Sequence, residues 1–330
     1  GPYVRRAGKG WQAEWVCAGV RQERAAPSLT PVPVVCDTPH PVGWDESGVS
    51  RGQRWQAAKW AAISDVHGQY RLMRQLLAAH GVVGDDGHWR FGDGHLVIVG
   101  DVFDRGPEVT PALWWIRELE AQALAAGGRV HFLLGNHEVM SLGGDLRYLN
   151  PKYRATADTL GTTYPALLGQ GTVLGDWLRS HPVMTVVGDS LFVHGGVHPG
   201  TVAGGATLEQ VNADMAPHVG RSKDELKAQG EWVRHLFTTD GPLWTRRLIL
   251  DAQAVTPETL APLLKHFGVQ RFVVGHTTLP RVTSVAEGRV IGIDAGLKDG
   301  RQGELLLMFH GVLYRGGLDG QRVPLAPSVQ

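Results

Sequence analysis

The stretch Gly100-Asp101-Val102-Phe103-Asp104-Arg105-Gly106 follows the apolar run Leu96-Val97-Ile98-Val99, and Gly135-Asn136-His137-Glu138 follows Phe132-Leu133-Leu134. Three further strings have the same placement. Asp65-Val66-His67 follows Ile63-Ser64, His194-Gly195-Gly196 follows Leu191-Phe192-Val193, and Gly275-His276-Thr277 follows Val273-Val274. In an open sheet with helical crossovers, loops that leave the carboxyl ends of the strands meet in one crevice. Five strand ends that each supply Asp, Asn or His therefore predict one metal-capable site. One strand-ending His is ordinarily a hydrogen-bonded rim residue; five such sites in register are not. Gly68, Gly100, Gly106, Gly135 and Gly195 permit the tight backbone such a site needs.

The surrounding pattern alternates strand, loop and helix. Strands are predicted at residues 60–63, 95–99, 130–134, 183–187, 190–193, 271–274, 282–286, 290–293, 304–309 and 311–314. Helices are expected over 69–80, 107–126 and 257–267, with Leu72, Leu76 and Leu77 on one face of the first. The alternation argues for a parallel-type core sheet with short crossovers. Gly188-Asp189 and Glu287-Gly288 are expected hairpin turns. Residues 141–181 read as helix and loop, and 207–250 as polar helix. Residues 1–55 differ: Trp11, Trp15, Val16 and Val34-Val35 suggest one or two short strands. A Pro-, Ser- and Thr-rich run from Ala25 to Pro41 favours extended or turn backbone. The expected division is an N-terminal β appendage over 1–55 and a catalytic domain over 56–330.

Composition bounds the function. The chain has 330 residues, 43% hydrophobic and 19% charged, enough for one large core. Lys+Arg and Asp+Glu are both 32, so no basic stripe for nucleic acid is expected, although neutrality leaves room for a local basic pocket. No apolar stretch reaches the ~18 residues of a membrane span. Cys17 and Cys36 are the two cysteines. Either they form a disulfide in an oxidising compartment, or they are two free thiols of a cytosolic protein. Neither is followed, at the spacing a thiol tyrosine phosphatase needs, by Arg; those positions hold Glu23 and Val42. The chain begins Gly-Pro-Tyr, which suggests a processed form. With the cysteine pair, this makes a periplasmic or secreted location the expectation and a cytoplasmic one the alternative. Gly48-Val49-Ser50-Arg51-Gly52 matches a nucleophile-elbow pattern but follows a polar, turn-like stretch instead of a buried strand, so it is set aside. Asp85, Asp86 and Asp93 lack the spacing of a calcium loop. His131 reads as structural, and at least one of Trp114 and Trp115 as core.

Over residues 59–300 the five strings resemble the calcineurin-like metallophosphoesterases, in that family's order, and its phosphoprotein phosphatase branch in particular. Gly135-Asn136-His137-Glu138-Val139-Met140, Gly144-Asp145-Leu146-Arg147-Tyr148, Gly241-Pro242-Leu243-Trp244 and Gly292-Ile293-Asp294-Ala295-Gly296-Leu297 resemble the Shewanella-like bacterial phosphatases. The resemblance implies an α/β, four-layer metallophosphatase fold: a central β-sandwich flanked by helices, here with the small N-terminal β segment. It implies Asp65, His67 and Asp101 on a first metal. Asp101 would bridge to a second, completed by Asn136, His194 and His276. Mn, Fe or Zn suit such donors, and a shared carboxylate places two cations about 3.5–4 Å apart. The implied reaction is in-line attack by a metal-bridging hydroxide on a phosphoester. His137 would be general acid, Asp104 its orienting partner, and Arg105, Asn136 and Arg246 (or Arg247) would bind phosphate. Thr278 stands where many phosphodiesterases of the superfamily have a second His, which favours a phosphomonoester: a phosphorylated Ser, Thr or Tyr of a protein, or a small molecule. A dinucleoside-polyphosphate or cyclic-nucleotide hydrolase is the enzymatic alternative. A non-catalytic metal-binding scaffold is the other; the presence of both His137 and Asp104 disfavours it.

Overall fold

Buried β-branched and aliphatic runs alternate their side chains between two layers, and this alternation builds the molecule. The computed structural model describes residues 1–26, 36 and 53–325. Three strands come first: β1 (Tyr3–Ala7), β2 (Gly10–Cys17) and β3 (Val20–Ala26) form an antiparallel sheet in the order β1-β2-β3. The remaining twelve are β4 (Arg54–Trp55), β5 (Lys59–Ile63), β6 (His95–Val99), β7 (Arg129–Leu133), β8 (Met184–Val187), β9 (Ser190–Val193), β10 (Arg271–Val274), β11 (Thr283–Val285), β12 (Val290–Gly292), β13 (Glu304–Phe309), β14 (Val312–Gly317) and β15 (Arg322–Pro324). They make two six-stranded sheets, ordered β15-β14-β13-β5-β6-β7 and β11-β12-β10-β9-β8-β4.

Along β5 and β6, Trp60, Ala62, Val97 and Val99 turn to one face and join Phe192, Val273, Ile291 and Leu306 in a cluster that includes residues of both sheets. Ala61, Ile63, Leu96 and Ile98 turn the other way, into the cluster that includes the flanking helices. There they join Met73, Leu76 and Leu77 of α1 (Tyr70–Ala79) and Leu113, Ile116 and Leu119 of α2 (Val109–Ala125). The period-2 pattern thus produces the expected helix–sheet–sheet–helix sandwich. Trp60 and Phe192 meet edge to face across it, ring centroids 5.1 Å apart.

The sheets are mixed, not parallel throughout. β5, β6 and β7 run parallel, as do β9, β10 and β12, but β13 pairs antiparallel with β5 and then with β14. His310 and Gly311, both at positive φ (49° and 80°), close the β13–β14 turn. Two such residues match the strand twist of a two-residue hairpin. Gly188-Asp189 joins β8 to β9 as expected, with Val187 opposite Ser190.

The N-terminal segment has three strands where one or two were expected. β1 and β3 carry Arg5, Arg6, Arg21, Glu23 and Arg24 on an exposed sheet edge, so neither shows apolar alternation. The sheet docks through Tyr3, Val4 and Trp15, all buried with the main core. Trp114 Nε1 donates to the Pro2 carbonyl (3.0 Å), and Trp115 Nε1 to Gly87 (2.9 Å), so both tryptophans are core residues. Cys17 and Cys36 form a disulfide, Cα atoms 5.7 Å apart. Arg54–Trp55 pairs in parallel with β8 and so lies in the second sheet. The Val34-Val35 strand, most of the Ala25–Pro41 run and the Gly48–Gly52 string lie outside the described residues. His131 bonds His95 within the fold, Nε2 to Nδ1 at 3.0 Å.

Phe192→Ala should cost about 3–5 kcal/mol of unfolding free energy, because the cavity opens between two sheets that cannot collapse independently. Leu124→Ala, on an exposed position, should stay within about 0.5 kcal/mol. Urea denaturation of both variants checks this; equal losses would contradict the placement of the core.

Candidate active site

The carboxyl ends of five strands deliver the site, three from one sheet and two from the other. Asp65 and His67 follow β5, Asp101, Asp104 and Arg105 follow β6, and Asn136 and His137 open α3 (Asn136–Leu142) after β7. His194 follows β9 and His276 follows β10. Backbone hydrogen bonds stitch the loops together: Asp65 N–H to Gly100 O (3.1 Å), His67 N–H to Asp101 O (2.8 Å), Gly106 N–H to His67 O (2.9 Å). The chains approach so closely that a Cβ on Gly68 would lie 2.5 Å from the Gly106 carbonyl oxygen. Six site residues take left-handed backbone: Asp65 (53°), His67 (46°), Asp101 (57°), Asp104 (69°), Arg105 (62°) and His276 (62°). Asp and His tolerate this region better than most residues, yet it still carries strain, which clusters at functional sites.

Asp65 and Asp101 each have one oxygen fixed by the protein and one turned into the site. Asp101 Oδ1 accepts the His137 N–H (2.9 Å), while Oδ2 faces Nε2 of His194 (3.2 Å), His67 (3.6 Å) and His137 (3.9 Å). Asp65 Oδ2 accepts from Ser64 Oγ (2.5 Å) and the His276 N–H (3.0 Å), and Oδ1 lies 4.0 Å from His67 Nε2. Backbone carbonyls aim the imidazoles. His67 Nδ1 donates to Phe103 O (2.7 Å) and His194 Nδ1 to Val99 O (2.8 Å), so each Nε2 points inward. This is the usual way a metal-binding imidazole is held. Asn136 Oδ1 lies 3.0 Å from His194 Nε2.

Two groups of donors result, each within 4.8 Å: His67, Asp101 and His137, and Asp101, His194 and His276. Asp101 belongs to both. Asp65 borders the first group. His137 is a member of that group by distance, but its Nδ1 is held by Asp104 Oδ2 at 2.6 Å. Asp104 is fully buried, and its Oδ1 accepts from Ser141 Oγ (3.1 Å).

The electrostatics call for a countercharge. Burial drives the Asp65 carboxyl well above its usual range, with Asp294 and Asp101 adding to the shift. Burial opposes ionisation of Asp101 as well, but His194 and His137 outweigh it and hold that carboxyl well below the usual range. Burial also opposes a charge on His194, yet Asp101 and Asp65 raise it to about 10. Burial takes His67 down to about 3, and burial with His194 takes His276 to about 2. Among the described residues no Lys or Arg lies within 4.0 Å of Asp65, Asp101 or Asp294. Inward carboxylate oxygens and inward imidazole nitrogens, with His194 as the cationic neighbour of Asp101 and no Lys or Arg beside them, are donors that fit metal cations, which would displace the His194 proton on binding.

A cavity of about 310 Å³ covers this centre. Arg105, Arg246, Arg147, Tyr148 and Lys298 line it. Arg246 Nη1 donates to the His276 carbonyl (2.5 Å), whereas Arg247 turns to His198 (3.5 Å) and Asp251 (3.4 Å). The geometry thus separates the two arginines that sequence left open. The Arg105 and Arg147 guanidiniums lie 5.1 and 5.6 Å from the Tyr148 ring.

Two residues were missed. Glu138 is fully buried and accepts four backbone N–H groups, from Asp101 (2.8 Å), Val102 (2.7 Å), Phe103 (3.1 Å) and Gly135 (2.6 Å). Its position at the third residue of α3 is the acidic half of a capping box, a signal the sequence carried. Asp294, after β12, accepts from Thr278 Oγ1 (2.6 Å), and Lys298 Nζ reaches the same hydroxyl (2.5 Å). Glu138→Ala should therefore cost about 3 kcal/mol or more, since each buried donor left unpaired costs about 1–3 kcal/mol. A urea melt that loses under about 0.5 kcal/mol would contradict the bracing role.

The family model for calcineurin-like phosphoesterases matches residues 58–280. An uncharacterised protein of Schizosaccharomyces pombe is 32% identical over 250 residues, covering 74% of each chain. Shewanella-like protein phosphatase 2 of Arabidopsis thaliana is 26% identical over 287 residues, covering 72% of this chain and 71% of its own. The solved cold-active protein-tyrosine phosphatase of a psychrophilic Shewanella species superposes with a TM-score of 0.93 at 36% identity, over 98% of both chains. With its five strand-end strings gathered on one shared aspartate, this chain belongs to the calcineurin-like metallophosphoesterase family.

Proposed function

We propose that this protein is a dinuclear-metal phosphatase that removes phosphate from phosphorylated protein side chains, phosphotyrosine among them. The observation that carries the reading is the His137–Asp104 pair beside the Asp101-centred donors. The relatives named as protein phosphatases and the Shewanella tyrosine phosphatase support the protein substrate.

Asp65, His67 and Asp101 would hold one cation, and Asp101, Asn136, His194 and His276 the other. Bound there, the pair would lower the pKa of a shared water and polarise the phosphoryl oxygens. The chain's own groups do the rest. Asp104 Oδ2 accepts a hydrogen bond from the Nδ1–H of His137 and fixes the ring, so that the separate Nε2 proton of the imidazolium is presented to the leaving oxygen. That proton ends on the released alcohol or phenol. Arg105 and Arg246, both lining the cavity, supply planar donors for the phosphate oxygens. Thr278, bonded to Asp294 and Lys298, occupies the position of the phosphodiesterase His and favours a monoester. The Cys17–Cys36 disulfide supports an oxidising compartment, periplasmic or secreted.

With Mn present, the protein should hydrolyse p-nitrophenyl phosphate much faster than bis-p-nitrophenyl phosphate; a reversed ratio would sink the monoesterase reading. His137→Ala should lower kcat by about 10²–10⁴-fold, the usual worth of a positioned acid. Unchanged turnover would remove His137 from the proton transfer. A panel of phosphotyrosine and phosphoserine peptides against dinucleoside polyphosphates tests the substrate class directly.

A further inference from the structure

A second concavity, about 530 Å³ in volume, opens beside the metal crevice and shares Met140, Arg147, Thr239 and Trp244 with it. Its floor is apolar: Val139, Met140, Leu226, Phe237 and Trp244, with the Phe237 and Trp244 rings 6.2 Å apart. Its charged lining is one-sided. Arg147, Arg221, Lys223, Lys227 and Arg234 face a single carboxylate, Asp145, which is already bound through two contacts to Arg147 (2.8 Å each). Two nearby acids do not line the groove: Asp224 pairs with Lys227 (2.9 Å), and Glu225 accepts from Ser222 (2.7 Å). Among the described residues, Arg221, Lys223 and Arg234 have no carboxylate within 4.0 Å. In a chain with zero formal net charge, this is a local excess of cations, whose acidic neighbours Asp145, Asp224 and Glu225 act on Lys223 and Arg221 only from beyond ion-pair distance.

A phosphorylated side chain seated at the metal centre is attached to a backbone, and the shared residues lead that backbone into the groove. We propose that the groove reads acidic residues adjoining the phosphorylated residue of a protein substrate, with an apolar side chain settling on Phe237 and Trp244. The proposal rests on the phosphoprotein reading above. Charge complementarity selects the occupant: carboxylates meet the exposed rim of Arg221, Lys223 and Arg234, while the half-buried floor excludes charge.

The test compares the Mn-loaded protein with its R221Q/K223Q/R234Q variant on two peptides of one phosphorylated residue, flanked by Glu and Asp or by Lys and Arg. p-Nitrophenyl phosphate, which does not reach the groove, is the reference. The acidic peptide should be preferred by roughly tenfold in kcat/KM, as expected of a few solvent-screened ion pairs. The variant should lose that preference through KM, with p-nitrophenyl phosphate turnover unchanged, and salt should weaken the preference in the parent protein. Equal or reversed preference in the parent, or full preference in the variant, overturns the groove. Stronger inhibition by a single-stranded oligonucleotide than by an unphosphorylated acidic peptide overturns it in favour of nucleic acid. Hydrolysis of p-nitrophenyl phosphate with neither peptide cleaved overturns the phosphoprotein reading itself, a result distinct from cleavage without charge preference.

Discussion

Asp101 is one buried carboxylate shared by two groups of imidazole donors, and the rest of the site is arranged to keep it there. Its Oδ1 is tied to the first turn of α3, its own N–H to Glu138, and its carbonyl to His67. Oδ2 is left facing inward. A carboxylate held this way has little freedom to rotate, so the separation of the two donor groups is fixed by the fold. The left-handed backbone at Asp65, His67, Asp101, Asp104, Arg105 and His276 is the cost of bringing these loops so close.

The sandwich supplies the rigidity that offsets this strain. Donors come from β5, β6 and β7 in one sheet and from β9 and β10 in the other, so the distance between them depends on how the sheets are spaced. That spacing is set by Trp60, Phe192 and their neighbours in the inter-sheet layer. Packing far from the metal centre thus acts on the chemistry through sheet separation. Glu138 plays the corresponding part inside the loops, where one carboxylate satisfies four N–H groups that would otherwise be buried unpaired.

Much of this was legible in sequence because it depends on period and local order. The apolar runs before Asp65, Asp101, Asn136, His194 and His276 announced five strand ends, and the structure brings all five together. What escaped depends on distant partners. β1 and β3 form on a charged edge, where alternation is absent and pairing with β2 decides the strand. Arg54–Trp55 is a strand because β8 lies beside it. Asp294 reaches the site from residues separated in sequence, as do the basic groups of the adjacent groove, which composition alone averages to zero. Glu138 carried a local signal, its place three residues after Gly135, but its four partners lie mostly on another loop.

Metal stoichiometry tests the shared-carboxylate centre most directly. Elemental analysis by inductively coupled plasma mass spectrometry, after loading with Mn and desalting, should find two ions per chain in the parent protein. Asp101→Asn should lose both together, with the fold retained by circular dichroism. A single ion in the parent, or both ions retained without the Asp101 carboxylate, would contradict a centre built on that side chain.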